Sequence, residues 1–393
     1  MELGFGKGAL LLLLVAAVVA MLTRRLRLPY SIGLVLAGMG LTFVPLAPRI
    51  TLTREILFDA LLPPLLFEAA LSLRWDELRR QLPVVLTLAG AGVVLSGAVT
   101  AVGMRCLAGW TWQSALVFGA LIAATDPVSV IATFREARAQ GRLPLLIESE
   151  SLFNDGTAAV AFGVAVTLAA GQAVSGWTVG AELLAKIGGG LACGAATGMV
   201  ALMLAGRTED HLLELTFTTV AAYASFLLAE RMHGSGVVAT IAAGLLMGNW
   251  RRFGGLSERG REAVMAFWEY AAFAANSLVF LLIGMQEAGQ NFAAAWRPIA
   301  VALVFVLLGR AAAVYPLCGL FGRSALRVSL PHQHLLFWGG LRGALGLALA
   351  LGLPANMPGR AAVVTVSFGV VAFSVFVQGL SIRPLLRKAG EIG

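Results

Sequence analysis

The stretch "ESESLFND", Glu148 to Asp155, carries three carboxylates, two hydroxyls and one amide inside otherwise apolar surroundings. On a helix, positions three and four apart are neighbours. Glu150 then lies beside Asn154, and Ser151 beside Asp155, on one face. Leu152, Ala159 and Phe162 take the opposite face. Such a polar face can take up and release a proton, or hold a cation. Glu148 lies about a turn nearer the helix start, where it would line a cytoplasmic access path.

Two other stretches interrupt helical backbone. In "AATDPVSV", Pro127 has no N–H to donate and clashes with the turn before it, which leaves the Ala123 carbonyl free beside Thr125 and Asp126. In "WGGLRGALG", Gly339, Gly340 and Gly343 surround Arg342 and permit an unwound backbone. A further charge, Arg310, stands alone in "VFVLLGRAAAVY". Free carbonyls, hydroxyls and carboxylates make an all-oxygen environment, which suits a hard cation such as Na+. No cysteine or histidine lies near these positions, which disfavours Zn2+ or Cu+. Cys106, Cys193 and Cys318 are far apart, and His211, His233, His332 and His334 stand near segment ends without metal spacing.

The chain that must position these groups is 59% hydrophobic and 13% charged over 393 residues. A soluble domain has roughly 45–50% apolar and about 25% charged residues. Apolar segments fall at 6–22, 30–47, 55–73, 82–104, 112–134, 144–171, 181–205, 212–229, 234–249, 266–285, 296–321, 332–353 and 361–386. This pattern predicts an all-α polytopic membrane protein of about 13 transmembrane helices. The short alternating segments of a β-barrel are absent. The first segment lacks the basic leader and cleavage site of a signal peptide and reads as a span. No soluble tail is expected after the last.

A net charge of +8 would suggest nucleic acid in a soluble protein. Here the basic residues read as topology signals. Nineteen of the 29 fall in alternate loops, from Arg24, Arg25 and Arg27 to Arg383, Arg387 and Lys388, and seven in the others. The bias persists through all the segments, so the N-terminus is expected outside and the C-terminus in the cytoplasm, in a plasma (inner) membrane. The segments divide as six, one and six: residues 1–171, a linker helix at 181–205, and 212–386. In such inverted repeats the fifth and twelfth segments are equivalent, and both are interrupted, which is the sequence mark of a transport site.

A charge at the bilayer centre costs at least ~2.5–3.5 kcal/mol, so Asp126, Asp155, Arg310 and Arg342, all near segment midpoints, are functional candidates. The plainer reading is polar glue between helices with an ordinary proline kink. Glue, however, mostly uses uncharged Ser, Thr, Asn or Gln.

The motifs "TDP", "ESLFND", "FWEYAAFAANSLVFLLIGM" and "GGLRGALGLALAL", preceded by "LLPPLLFEAAL", fall in order between residues 55 and 350. Together they resemble the cation/proton antiporters of the NhaP/NHE type, the sodium/proton exchanger family. The resemblance implies six-helix inverted repeats, a homodimer, and a core domain that moves against a dimerisation domain. It implies that Asp155 binds Na+ and H+ in turn, with Asp126, Thr125 and Ser151 completing the Na+ site. Asn154 would replace a second aspartate of electrogenic relatives. Glu150 would pair with Arg310, and Arg342 would stabilise the broken twelfth segment by neutralising its carbonyl ends, with Pro127, Gly339 and Gly340 shaping the breaks. Spacing alone leaves Arg342 open as the partner of Glu150.

The expected activity is therefore exchange of Na+ or Li+ for H+, with no cofactor. K+/H+ antiport is the alternative, because an oxygen site does not by itself set ion radius. With Asp155 as the single exchanging carboxylate, one proton should move per cation. A cation channel would call for a selectivity filter, and none is visible. An intramembrane enzyme would need a histidine or lysine base at that depth, and none is near.

Overall fold

The computed structural model describes residues 5–26, 28–44, 52–136, 141–170, 176–249 and 255–392. Among the described residues there is helix and no strand. Arg27, Arg49, Arg138, Arg251 and Arg252, which contribute to the orientation argument, lie outside them, as do residues 45–47 of the second apolar segment and the side chains of Lys7 and Arg135.

Helix occupies each of the apolar segments. The chain begins with α1 (Phe5–Leu26) and α2 (Tyr30–Leu41), then a π turn at Ile56–Leu61 that leads into α3 (Leu62–Ser72). Next, α4 (Trp75–Thr87) continues through a π turn at Leu88–Gly92 into α5 (Val93–Leu107). The fifth segment is split into α6 (Trp112–Ile122) and α7 (Val128–Glu136), and α8 (Arg142–Ala169) carries the polar stretch. Then come α9 (Gly176–Ala205), α10 (His211–Arg231), α11 (Gly236–Asn249), α12 (Glu258–Glu287) and α13 (Trp296–Leu320). The twelfth segment is split into α14 (Leu330–Gly339) and α15 (Ala344–Leu351). The last runs from α16 (Arg360–Phe373) through a π turn at Ser374–Gln378 into α17 (Gly379–Lys388). Among the described residues, nine helical stretches are long and apolar enough to cross a bilayer, and α2, α6 and α11 are shorter apolar helices.

The helices form two bundles. In one, α9, α10 and α11 pack on each other and α3, while α12 packs on α1, α2 and α3. In the other, α13 packs on α5, α5 on α6, α6 on α8, and the split helices on α16 and α17. Contact between the bundles is sparse and runs mainly through α8 against α9 and α11. Each chain half contributes to both bundles. Outer helices are apolar all round: α1 exposes Leu10, Leu14 and Met21, and α9 exposes Leu184, Leu191 and Val200. In water such faces would be aggregation sites, but in a bilayer they are the solvent-compatible surface.

Helix association in lipid relies on close backbone approach through small residues. At the α2–α12 crossing a Cβ on Gly284 would collide with the Val35 carbonyl, and one on Gly38 with the Leu281 carbonyl. Gly284→Leu should therefore force the pair apart and destabilise the fold by about 1–3 kcal/mol, the range for overpacking. Thermal unfolding in detergent checks this, and an unchanged Tm would show that the crossing yields freely.

Candidate functional site

The two split helices meet at their breaks. The Asp126 amide donates to the Leu341 carbonyl at 2.8 Å, which joins the two breaks directly. The carbonyl of Ala123, freed by Pro127, accepts from Arg342 Nη1 at 2.6 Å, and the Ala124 carbonyl accepts from the same nitrogen at 3.1 Å. Arg342 is buried, so its guanidinium neutralises the C-terminal end of α6 in the interior. The opposite ends are served by a carboxylate. Asp126 Oδ1 accepts from the Val128 amide at 3.0 Å, at the start of α7. A Cβ at Gly343 would overlap the Asp126 carboxylate, and one at Gly340 would strike the Arg310 guanidinium. Those two glycines are thus required by close approach, whereas a Cβ at Gly339 would meet only ordinary van der Waals distances.

The polar residues of α8 form two stripes with different tasks. The sequence pattern assigns them to one face, but 100° per residue separates 150/154 from 151/155. Glu150 and Asn154 turn inward. Glu150 makes a bidentate pair with Arg310, Oε1 to Nη1 at 2.8 Å and Oε2 to Nη2 at 2.9 Å. That geometry answers the question left open by spacing: the partner is Arg310, which also donates to the Leu336 carbonyl at 2.9 Å. Asn154 ties the pair to the break. Its Nδ2 donates to Glu150 Oε1 at 3.0 Å and to Thr125 Oγ1 at 2.6 Å, and its Oδ1 accepts from the Thr125 amide at 3.1 Å.

The second stripe faces a cavity of ≈ 790 Å³ between the bundles, lined by Glu148, Ser151, Leu152 and Asp155 of α8 and by Thr125 and Asp126 of the break. Leu152 belongs to this wall, although the sequence pattern puts it opposite the polar residues. Ser151 Oγ donates to the Thr125 carbonyl at 2.5 Å, which locks α8 to the break and leaves the hydroxyl lone pairs to the cavity. Asp155 Oδ1 is buried and has no hydrogen-bond partner. A buried, unpaired carboxylate oxygen is costly, and here it stands at the wall of a cavity that Thr125, Asp126 and Ser151 also line. Of the candidate ligands, Asp155, Asp126, Thr125 and Ser151 line the cavity, and Asn154 does not.

Several contributors escape sequence reading. The Arg342 amide donates to Ser374 Oγ at 3.0 Å, Ser374 donates to Gln378 Oε1 at 2.8 Å, and Gln378 Nε2 donates to the Trp338 carbonyl at 3.1 Å. The π turn Ser374–Gln378 thus presents two polar side chains to the break; their i,i+4 spacing in "SVFVQ" is the only signal. Glu68, Glu269 and Asn276 also line the cavity. The two glutamates fall near segment ends, where a charge attracts little notice, and Asn276 sits in an apolar run. Arg24 and Arg383 line the cavity as well, at the end of α1 and within α17.

The chain matches the family described as "Sodium/hydrogen exchanger, transmembrane" over residues 10–388. It is 39% identical over 369 residues to the Na(+)/H(+) antiporter ApNhaP of Aphanothece halophytica, covering 93% of this chain and 71% of that one. It is 34% identical over 395 residues to the Na(+)/H(+) antiporter NhaH of Halobacillus aidingensis, covering 97% of each. The fold is similar to that of the sodium proton antiporter MjNhaP1 from Methanocaldococcus jannaschii, with a TM-score of 0.74 at 20% identity over 98% of this chain and 96% of that one.

The bidentate Glu150–Arg310 pair should behave as a buried ion pair. Arg310→Met alone strands a carboxylate and should cost about 3–5 kcal/mol, while the double change Glu150→Leu with Arg310→Met should recover most of it. Thermal unfolding of the single and double variants checks this, and additive losses would show that the two side chains are not coupled.

Proposed function

The chain belongs to the sodium/hydrogen exchanger family, and we propose that it is a Na+/H+ antiporter in which Asp155 carries Na+ and H+ in turn. It is a multi-pass membrane protein and a secondary transporter, with Na+ and H+ as substrates rather than cofactors. Relatives named as Na+/H+ antiporters do not favour the K+ alternative.

The observation that carries this reading is the unpaired buried oxygen of Asp155 at the cavity wall. Na+ there has oxygens at hand from Asp126, Ser151 and Thr125, the set a hard cation prefers. Desolvation disfavours a bare carboxylate, so Asp155 is most stable with either a proton or a cation bound. A neutralised site can cross the membrane interior, but a charged one meets the cost of moving charge through hydrocarbon. That rule couples the two fluxes.

Charge balance supports a ratio of one to one. Around the crossing stand three carboxylates, Asp126, Glu150 and Asp155, and two guanidiniums, Arg310 and Arg342. Fully ionised, they leave one negative charge, which one Na+ or one proton cancels. Asp126 has an amide partner at the start of α7, and Asn154 cannot titrate.

The same reading covers topology. With the N-terminus outside and the C-terminus cytoplasmic in a plasma membrane, the end of the cavity lined by Arg24, Arg383 and Glu148 would open to the cytoplasm, an inward-facing state. Two inverted repeats, 1–171 and 212–386 about the linker 181–205, account for the matched breaks and for the contribution of each half to both bundles. Alternating access is then movement of the bundle that holds Asp155 against the other, in a homodimer.

In proteoliposomes with an imposed pH gradient, Na+ or Li+ should collapse the gradient, and Asp155→Asn should abolish the effect. Collapse that persists in the variant would move the exchange site elsewhere. Under an imposed membrane potential the native protein should carry no current, and a potential-dependent exchange rate would sink the one-to-one ratio.

A further inference from the structure

Opposite α8, the cavity wall is made by α12 and by α3, which contributes Glu68. Glu269, Ala272, Phe273 and Asn276 all line it, and their spacing of three, four and seven puts them on one helical stripe. The α8 stripe has the same form: Glu148, Ser151, Leu152 and Asp155. Each begins with a carboxylate and ends, seven residues on, with a second polar group. Seven residues rise about 10 Å. In the proposed topology both helices run from the cytoplasmic side outward. Glu269 and Asn276 then follow one another on the facing wall in the same order as Glu148 and Asp155.

The Asn276 side-chain amide has no hydrogen-bond partner among the described residues, and its stripe neighbours Ala272 and Phe273 offer none. The adjacent Ser277 is buried and committed elsewhere, to the Tyr30 hydroxyl at 2.7 Å and the Phe273 carbonyl at 2.5 Å. An amide on a cavity wall with no partner among the described residues is set for what the cavity contains.

The chemistry separates the two substrates. A proton on Asp155 needs no other ligand. A Na+ stripped of water needs oxygens from several directions, and those of Asp155, Asp126, Ser151 and Thr125 all come from one bundle. An amide oxygen ligates a cation well and takes up no proton near neutral pH.

We propose that Asn276 is a cation ligand from the facing bundle, whose amide oxygen completes the coordination of Na+ at Asp155 as the bundles close and takes no part in proton binding. This rests on the reading of Asp155 as the exchanging carboxylate. It gives bound Na+ a contact on each wall, whereas protonated Asp155 needs none.

The test compares native protein, Asn276→Ala, Asn276→Asp and Asp155→Asn in proteoliposomes, with Na+ and Li+ as varied substrates at several pH values. Asn276→Ala should raise the apparent KM for Na+ by about three- to tenfold, the effect of one lost polar contact. Its rate at saturating Na+ should be largely kept, and so should the steepness of proton competition. Asn276→Asp, which retains an oxygen, should restore a KM near the native one. Thermal unfolding gives a second readout. Na+ should stabilise the native protein by mass action, and Asn276→Ala should need correspondingly more Na+ for the same shift, with its Na+-free Tm unchanged. An unchanged KM in Asn276→Ala, beside a dead Asp155→Asn, would overturn this inference and leave the Asp155 site standing. A lower maximal rate with unchanged KM would make Asn276 a wall residue only and also overturn it. Exchange that survives Asp155→Asn would remove the reading beneath it.

Discussion

Backbone freed from a helix at membrane depth must find a partner where it is freed, because no water or lipid group will supply one. Two broken segments cross in this protein, and their pairing organises everything around them. Arg342 covers the carbonyls at the end of α6, Asp126 covers the amide at the start of α7, and Asp126 and Leu341 join one break to the other. Ser374 and Gln378 reach the second break from a widened turn of the last helix. The fixed charges and the unwound backbone stabilise each other, and removing either leaves the other unsatisfied in a medium of low dielectric.

That mutual compensation is also what leaves Asp155 exposed to exchange. Four of the five charges at the crossing have fixed partners: Glu150 with Arg310, Arg342 with two carbonyls, and Asp126 with an amide. Asp155 has an oxygen with none. On the proposed reading, a proton and a monovalent cation neutralise Asp155 equally well. Discrimination between the two must come from geometry, since a proton sits on one oxygen and a cation gathers several.

The bracing through Asn154 has a mechanical consequence. Glu150, Arg310, Asn154, Thr125 and Ser151 are linked by short hydrogen bonds across α8, α13 and the α6–α7 break, so Asp155 is carried by a cross-braced unit. The facing bundle touches that unit sparsely. The proposed alternating access would use that sparsely packed interface, where the cavity lies.

Much of this was legible in the residues. Helical segments of bilayer length follow from apolar runs alone, because length and hydropathy are local properties. The breaks follow from Pro127 and from the glycines about Arg342, and the candidate carboxylates from the cost of burying charge. The pairing of Glu150 was not legible, since Arg310 and Arg342 are equally central in sequence and only packing brings Arg310 to bidentate distance. The same holds for the split of α8 into a bracing stripe and a cavity stripe, which moved Asn154 off the cavity and Leu152 onto it. Ser374, Gln378 and Asn276 are ordinary polar residues until neighbours from distant segments give them something to bind or leave them nothing. Local chemistry thus determined which elements form and where they must break. Which groups meet, and which one is left without a partner, is a property of three-dimensional juxtaposition and was decided only by the tertiary structure.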